Sequence, residues 1–310
     1  MSGEGGRTAT VAAPGPSVAA TRPGRRGDAL RLVPRALRSG SLLVGGLIVA
    51  GLVTVALAAP WLAPYAPTRI FPGEEITPPG PRFLLGTDEV GRDILSRVLY
   101  GARVSLGVAL ASVGLAALVG TALGVSLGYL GGAPDMLAMR VFDVLFAFPP
   151  LLLAIALVAA LGPSAANLVL TIALLTFPQF AVLARSATLA LTPQEFVQAA
   201  RALGASHMRL LRAHVLPNIA APLVVQASLS LSIVILVEAA LSFLGLGTQP
   251  PAPSWGSMLS RGRQYMTIAP WLVLAPGVAI MLAVLGFNLL GDAQRDLLDP
   301  RLSGARGRTA

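Results

Sequence analysis

Few side chains in this chain could carry out chemistry, and most of the charged ones are cationic. Its 310 residues include no cysteine and two histidines, and all 23 basic residues are arginine. The sequence therefore excludes disulfides, thiolate metal sites, cysteine nucleophiles, lysine Schiff bases and the lysine that a P-loop needs. If ATP drives this protein, another chain must hydrolyse it.

The two histidines, His207 and His214, lie seven residues apart in a polar stretch. A structural zinc site takes four ligands and a catalytic one takes three, and the sequence nearby offers no third ligand. We therefore interpret both histidines as interface residues. We expect no cofactor, no bound metal and no catalytic residue, so the chain is not expected to be an enzyme.

Two acidic residues, Asp143 and Glu238, lie in or next to long apolar segments. An ionisable group inside a membrane costs a few kcal/mol and is a functional candidate for that reason. Arg140 precedes Asp143 by three residues and could pair with it on one helix face, so we favour a structural role for Asp143. For Glu238, a pathway residue and a packing hydrogen bond remain open.

Composition shows why these acids stand out. Hydrophobic residues make up 55% of the chain and charged residues only 12%, about half the charged share of a soluble domain. The chain is therefore predicted to be an all-α polytopic membrane protein. We attribute its net charge of +9 to membrane topology and contact with lipid head groups rather than to nucleic-acid binding.

Six apolar segments are each long enough for the roughly 20 residues that a bilayer requires. Their approximate limits are 41–61, 104–127, 139–161, 166–185, 221–244 and 269–290. We expect Pro149-Pro150 and Pro178 to kink or unwind their helices. The second span is rich in small residues that permit close helix approach. They are Gly107, Ala111, Gly114, Gly120, Gly124 and Gly128.

The spans divide the chain into four parts. We predict a disordered, arginine-rich arm over 1–38, and a first transmembrane helix and extracytoplasmic loop with an interfacial helix over 39–100. A five-helix transport core over 101–292 and a tail over 293–310 follow. With six spans and both termini inside, sixteen arginines lie inside and seven outside. The positive-inside rule therefore predicts cytoplasmic termini.

The polar stretch 192–218 separates the fourth and fifth spans and carries two helix starts. Thr192, Pro193 and Glu195 have the pattern of a capping box, and Gly204 is expected to end that helix through positive φ. Two short amphipathic helices need a partner surface for their apolar stripes. Docking on another protein and an ordinary cytoplasmic loop are both open from this pattern.

The second helix of this stretch is expected to begin after Ser206 as its cap and to end at Pro217. Its flank carries arginines, which a docking surface would present to a partner. They are Arg201, Arg209 and Arg212.

This stretch resembles the EAA loop of the ABC-importer permeases. The resemblance rests on Gln198-Ala199-Ala200, Gly204 and Leu216-Pro217. In that family the loop is a coupling helix that sits in a groove of the ATPase subunit. Gln198 stands where the family usually has glutamate, which keeps the hydrogen-bonding capacity and loses the charge. His214 stands where a branched apolar residue is usual.

A second polar segment narrows the resemblance to one branch. Residues 84–93 are similar to the LLGTDxxGRD signature of the dipeptide, oligopeptide and nickel branch, and residues 291–301 resemble its GDxxRDxLDPR-like end. We expect Thr87 to cap an interfacial helix whose apolar stripe includes Ile94 and Val98. The signature residues are Gly86, Thr87, Asp88, Gly91, Arg92 and Asp93.

The resemblance implies a type I ABC-importer permease architecture with six transmembrane helices in the bacterial cytoplasmic membrane. Its expected partners are a second related permease, two P-loop ATPases, an extracytoplasmic binding protein and membrane lipid. Di- or oligopeptides are the expected solutes, with nickel or another small solute as the alternative. An ion-gradient-driven transporter would need several buried relay groups and inverted repeats, and only Glu238 is a good candidate. A membrane enzyme lacks a catalytic constellation.

Overall fold

The computed structural model describes residues 40–298, which form helices and connecting loops and contain no β-strand. The predicted arm over 1–38 and the predicted tail from residue 299 onward lie outside the described residues. In chain order the helices are α1 Gly40–Leu62, α2 Ile94–Leu130, α3 Gly132–Ala147, α4 Pro150–Leu161, α5 Ala165–Leu191, α6 Glu195–Ala202, α7 His207–Leu210, α8 Leu216–Phe243, α9 Trp255–Gly262 and α10 Trp271–Leu298. A π-helical turn, Leu211–Val215, joins α7 to α8.

The membrane-spanning elements confirm the predicted all-α polytopic class. Within the described residues five helical segments are long and apolar enough to cross a bilayer, namely α1, α2, α5, the continuous run His207–Phe243 and α10. The pair α3 and α4 is long and apolar enough when taken together, and its bend of 94° is the geometry of a broken span or a re-entrant loop. The predicted count of six spans therefore holds when this bent pair counts as one.

The third span, predicted over 139–161 with a kink or an unwound turn at Pro149-Pro150, begins earlier than predicted and is broken into two helices. The helix α3 ends at Ala147, Phe148 is extended with φ −88° and ψ 140°, and α4 begins at Pro150. Proline has no N–H to donate and disfavours helical geometry in the residue before it. The two adjacent prolines therefore break the span, as expected, whereas α5 stays helical through Pro178.

Two helices extend further than predicted. Because α2 begins at Ile94, the apolar stripe assigned to a separate interfacial helix belongs to the first turns of this long helix. The helix α10 continues through Gly291 and Asp292 to Leu298, so these residues do not open a tail. Good helix formers such as Ala, Gln, Arg and Leu follow Asp292, and they extend the helix beyond its apolar part.

The helix α2 lies at the centre of the fold and packs most closely on α5. A Cβ atom added at Gly120, Gly124 or Gly128 would meet the α5 backbone at the carbonyl oxygens of Phe177, Ala181 and Arg185, respectively. The four-residue spacing places these glycines on one face. The small residues therefore bring the two backbones together, as predicted for this part of the span.

Candidate functional site

The first candidate site is the pair α6 and α7, which connects α5 to α8. The predicted capping box is wrong, because Thr192 belongs to the end of α5. Its backbone is helical, with φ −57° and ψ −33°, and its N–H donates to Thr188 O. An N-cap residue needs an extended backbone, and Gln194, with φ −69° and ψ 146°, holds that position for α6.

The turn between α6 and α7 has the predicted conformation. Gly204 has φ +81°, its N–H donates to Arg201 O at 3.0 Å, and the Ala205 N–H donates to Ala200 O at 3.1 Å. These two bonds form a Schellman motif, which satisfies the last carbonyls of α6. The Ser206 side chain then caps α7 by accepting from the Arg209 N–H, also as predicted.

The predicted stop at Pro217 is wrong. Pro217 occupies the first turn of α8, where no helical N–H is required. The preceding π-helical turn, in which Leu216 N–H donates to Leu211 O, fits the proline into a continuous helical run from His207 to Phe243. Single π turns of this kind are frequent at functional sites. The loop is thus continuous with the span that follows it.

The α6–α7 unit exposes apolar side chains on its outer surface. Leu203, beside the glycine turn, is 90% exposed, and Met208 and Phe196 are exposed as well. Val197 and Leu210 are fully buried and anchor the unit to the rest of the chain. The unit therefore presents an apolar surface flanked by exposed arginines, which is the arrangement that a docking element needs.

The end of α2 holds this unit in place through Tyr129, a contact that the sequence analysis missed. The Tyr129 hydroxyl accepts from Arg201 Nη2 at 3.2 Å and hydrogen-bonds His207 Nδ1. The Arg201 guanidinium also lies 5.6 Å from the Tyr129 ring centroid. Because Tyr129 is more than 70 positions away from both partners in the sequence, no local pattern indicates this contact.

Gln198 has a specific role within the loop. Its Nε2 donates to the backbone oxygen of Thr192 at 2.7 Å. A glutamate carboxylate at this position has no proton to donate to that carbonyl. The departure from the usual glutamate therefore has a structural explanation. Ala199 beside it is exposed, and Ala200 is half-buried.

The second candidate site is the signature segment 86–93, which is organised around Asp88. Oδ1 of Asp88 accepts from the backbone N–H groups of Val90 and Arg92 at 3.1 and 2.9 Å. Oδ2 lies 2.7 Å from Arg92 Nε and 3.4 Å from Arg97 Nε. All three charged side chains are almost completely buried, so each charge requires the others.

Thr87 does not cap a helix, which corrects the prediction. Asp93 caps α2 by accepting from the Ser96 N–H at 2.8 Å. Thr87 is fully buried, and its hydroxyl accepts from the Thr77 N–H at 2.8 Å and donates to the Glu74 carbonyl. Thr87 therefore ties together the loop between α1 and α2 and does not start a helix.

The two signature glycines and Glu89 complete this segment. Gly86 and Gly91 have φ of 77° and 78°, and a side chain at Gly91 would collide with the Phe71 carbonyl oxygen. Glu89 Oε1 lies 3.5 Å from Nη1 of Arg261. Arg261 belongs to the short helix α9, which begins at Trp255. The segment is therefore a folded polar cluster that connects the loop after α1 to α2 and α9.

Asp143 does not have the partner that its spacing indicated. Asp143 and Arg140 are both exposed, and the ion pairs of residues 40–298 do not include this pair. Instead, Asp135 of α3 forms a two-point ion pair with Arg185 of α5. Fifty sequence positions separate Asp135 and Arg185, so helical periodicity gives no signal for their pairing.

Glu238 is enclosed by the chain's own helices and has no exposed surface. Its Oε1 accepts from Ser242 Oγ at 2.7 Å. In the part of the chain that the structure describes, Oε2 has no hydrogen-bond partner. This geometry favours the packing interpretation over a residue that contacts a solute.

Comparisons with known proteins agree with these features. The family described as "Binding-protein-dependent transport system inner membrane component" matches residues 120–304. The di/tripeptide transport system permease protein DppC of Pseudomonas aeruginosa (strain UCBPP-PA14) is 48% identical over 256 residues, which cover 81% of this chain and 84% of that protein. The glutathione transport system permease protein GsiD of Escherichia coli O1:K1 / APEC is 45% identical over 251 residues, which cover 81% of this chain and 83% of that protein.

Proposed function

Because the chain belongs to the family of binding-protein-dependent inner-membrane components of ABC transporters, we propose that it forms half of the translocation pathway of an ATP-driven importer of di- or oligopeptides. The names of its relatives support the solute class. They are named for di- and tripeptides, for dipeptides and for glutathione, all of which are short peptides.

The proposed partners follow from what this chain lacks and from its family. With no lysine in the sequence, it cannot supply the P-loop lysine, so two separate ATPase subunits hydrolyse ATP. An extracytoplasmic binding protein delivers the peptide, and a second related permease supplies the other half of the pathway. The chain sits in the bacterial cytoplasmic membrane with both termini in the cytoplasm. Residues 39–100 contribute the first span and outer loop, and 101–292 the transport core.

The exposed apolar surface of the α6–α7 unit is the observation that carries this proposal. Leu203 is 90% exposed beside a turn that Gly204 fixes, and this surface enters a groove of an ATPase subunit. The core coupling residues are Gln198, Ala199, Ala200, Gly204, Leu216 and Pro217.

The same geometry supports a route for the motion. ATP binding closes the ATPase pair and displaces the α6–α7 unit. The helical run His207–Phe243 is continuous, so the displacement passes directly into a membrane span. Tyr129 transmits it to α2 through Arg201 and His207. Rigid elements that move as bodies are the usual means by which such transporters alternate access.

The test compares two glycines that share one backbone conformation. Gly204 and Gly245 both have φ +81°, and no described atom lies within 4 Å of a Cβ placed at either position. Gly204→Asp adds a charge and strains the docking turn, whereas Gly245→Asp imposes the same strain at the far end of α8. Left-handed geometry costs a non-glycine residue about 1–2 kcal/mol.

We expect the tagged Gly204→Asp chain to lose the ATPases on co-purification in mild detergent and to lose ATP-dependent uptake of dialanine. The double variant Ala199→Asp, Ala200→Asp is expected to behave in the same way. Gly245→Asp should retain the ATPases. If Gly204→Asp retains them at the wild-type level, or if both glycine variants lose them equally, the loop is not the docking element.

A further inference from the structure

The depth of Asp143 in the membrane follows from two contacts between α3 and α5. Asp135 pairs with Arg185, and seven residues further along α3 the Phe142 ring meets Phe177, with centroids 5.6 Å apart. The two helices thus run antiparallel along the half of α5 that leads to α6. Phe177 lies near the middle of the span Ala165–Leu191, so Asp143 lies at about mid-membrane.

The Asp143 carboxylate is not covered by other described residues of this chain at this depth. Its side chain is exposed, and within residues 40–298 no hydrogen bond or ion pair to it is formed. A carboxylate facing lipid at the centre of a span costs about 2.5–3.5 kcal/mol. Asp143 therefore faces either water or a cation from outside this chain.

The broken end of α3 adds negative charge beside Asp143. The helix stops at Ala147, four residues later, and Pro149 and Pro150 have no N–H groups to continue its hydrogen bonds. The last carbonyls of a helix carry a partial negative charge. In secondary transporters, helices broken at mid-membrane place such ends at the solute or ion site.

Two amides lie at the same depth on other helices. Gln179, two residues after Phe177 on α5, is exposed, and its Oε1 accepts from Gln226 Nε2 of α8 at 3.4 Å. Side chains of this kind avoid lipid and line water-filled cavities or protein contacts. Polar groups at one membrane level thus come from α3, α5 and α8.

We propose that Asp143 and the open end of α3, together with Gln179 and Gln226, form a subsite of the translocation pathway that favours a passing peptide with a cationic side chain over one with an anionic side chain. This inference rests on the proposed function, because it assigns a charge preference to the translocation pathway of that importer. The carboxylate and the helix end attract the cation, and the amides replace part of its hydration shell.

The experiment measures a ratio in the complete reconstituted complex. Uptake of alanyl-lysine is divided by uptake of alanyl-glutamate for the wild type and for Asp143→Asn. The binding protein is the same in both complexes, so its own preference cancels. We expect Asp143→Asn to lower the ratio about tenfold, as for a lost charge interaction at intermediate dielectric. Asp143→Glu should keep the wild-type ratio, and so should Glu75→Gln, which removes an exposed charge in the outer loop.

Three results would overturn the proposal. An unchanged uptake ratio in Asp143→Asn would show that Asp143 confers no charge selectivity on the pathway. An equal loss of both uptakes together with loss of the second permease from the complex shows that Asp143 pairs with a residue of that subunit. A wild-type complex that hydrolyses ATP and imports neither peptide refutes the peptide assignment itself, and with it the solute of this subsite. The first two results appear only in Asp143→Asn, whereas the third appears in the wild-type complex. A failure of the subsite can therefore be distinguished from a failure of the proposed peptide import.

Discussion

Individual polar residues inside this fold differ in how many hydrogen bonds the described part of the chain supplies to them, and the fully buried Glu238 is bonded at only one of its carboxyl oxygens. One carboxyl oxygen accepts from Ser242, and the other has no partner within the described residues. A buried group of this kind is costly if it is charged and alone. We therefore propose that Glu238, enclosed between α2, α8 and α9, has a packing role between these helices.

We expect Glu238→Gln to retain dialanine uptake within about twofold of the wild type, because glutamine keeps an acceptor for Ser242. Glu238→Ala leaves the Ser242 hydroxyl without its partner and creates a cavity, and it should destabilise the chain by about 2 kcal/mol. Thermal unfolding in detergent measures the second effect and uptake measures the first. Loss of uptake in Glu238→Gln at an unchanged unfolding temperature would instead assign this residue to the pathway.

At the scale of single residues, the sequence predicts features that depend only on the local backbone, such as turns and helix caps. Positive φ at Gly204 and the Ser206 cap were both predictable, because each depends only on the nearest residues. The Asp88 cluster was not predictable, because it depends on two further ion pairs. Arg97 pairs with Asp88, and Arg261 pairs with Glu89. Such partners meet only after the helices have packed.

Among the helices, the contact between α2 and α5 is the closest and depends on glycine. At Gly124 an added Cβ would meet the carbonyl oxygen of Ala181, whereas at Gly114 on the same helix no described atom lies within 4 Å. We therefore expect Gly124→Ala to force the two helices apart and to lower the unfolding temperature in detergent by several degrees, as for an overpacked core that loses about 1–3 kcal/mol. Gly114→Ala is the matched control and should be neutral.

Equal unfolding temperatures for the two alanine variants would show that α2 and α5 are not in backbone contact. A drop in Gly114→Ala alone would point to a partner chain on that face. In either case the role assigned to the glycine spacing in the second span would be wrong.

The helices also show where sequence reasoning at the element level succeeds. Hydropathy located the spans, because about 20 apolar residues are needed to cross a bilayer whatever the fold. Pro149-Pro150 correctly indicated a break. Pro217 was misjudged, since a π-helical turn over Leu211–Val215 fits the proline into the helix. Proline in a first turn and proline after a last turn look alike in a sequence without the bonds around them.

Considered as a whole, the molecule links the α6–α7 unit to the proposed pathway subsite through the same helices. The spans α5 and α8 flank the α6–α7 unit at one end and carry Gln179 and Gln226 near mid-membrane. A displacement of the proposed docking surface would therefore reach the proposed pathway through the continuous helical run His207–Phe243. The ion pair between Asp135 and Arg185 joins α3, and thus Asp143, to α5.

The topology of this whole molecule can be tested directly, because the chain has no cysteine and any introduced thiol is unique. We expect Glu75→Cys, in the outer loop, to react with a membrane-impermeant maleimide in intact spheroplasts. Leu203→Cys should react only in inverted vesicles, because the positive-inside rule places the α6–α7 unit in the cytoplasm.

Adding the partner ATPases gives the second half of this test. If the apolar surface around Leu203 docks in an ATPase groove, bound ATPases should slow the labelling of Leu203→Cys at least tenfold and leave Glu75→Cys unaffected. Labelling of Leu203→Cys from outside would reverse the topology and remove the surface from the reach of any ATPase. Unchanged labelling in the presence of bound ATPases would keep the topology and assign docking to another part of the chain. Because sidedness and protection are read at the same thiol, the two conclusions can be separated in a single preparation.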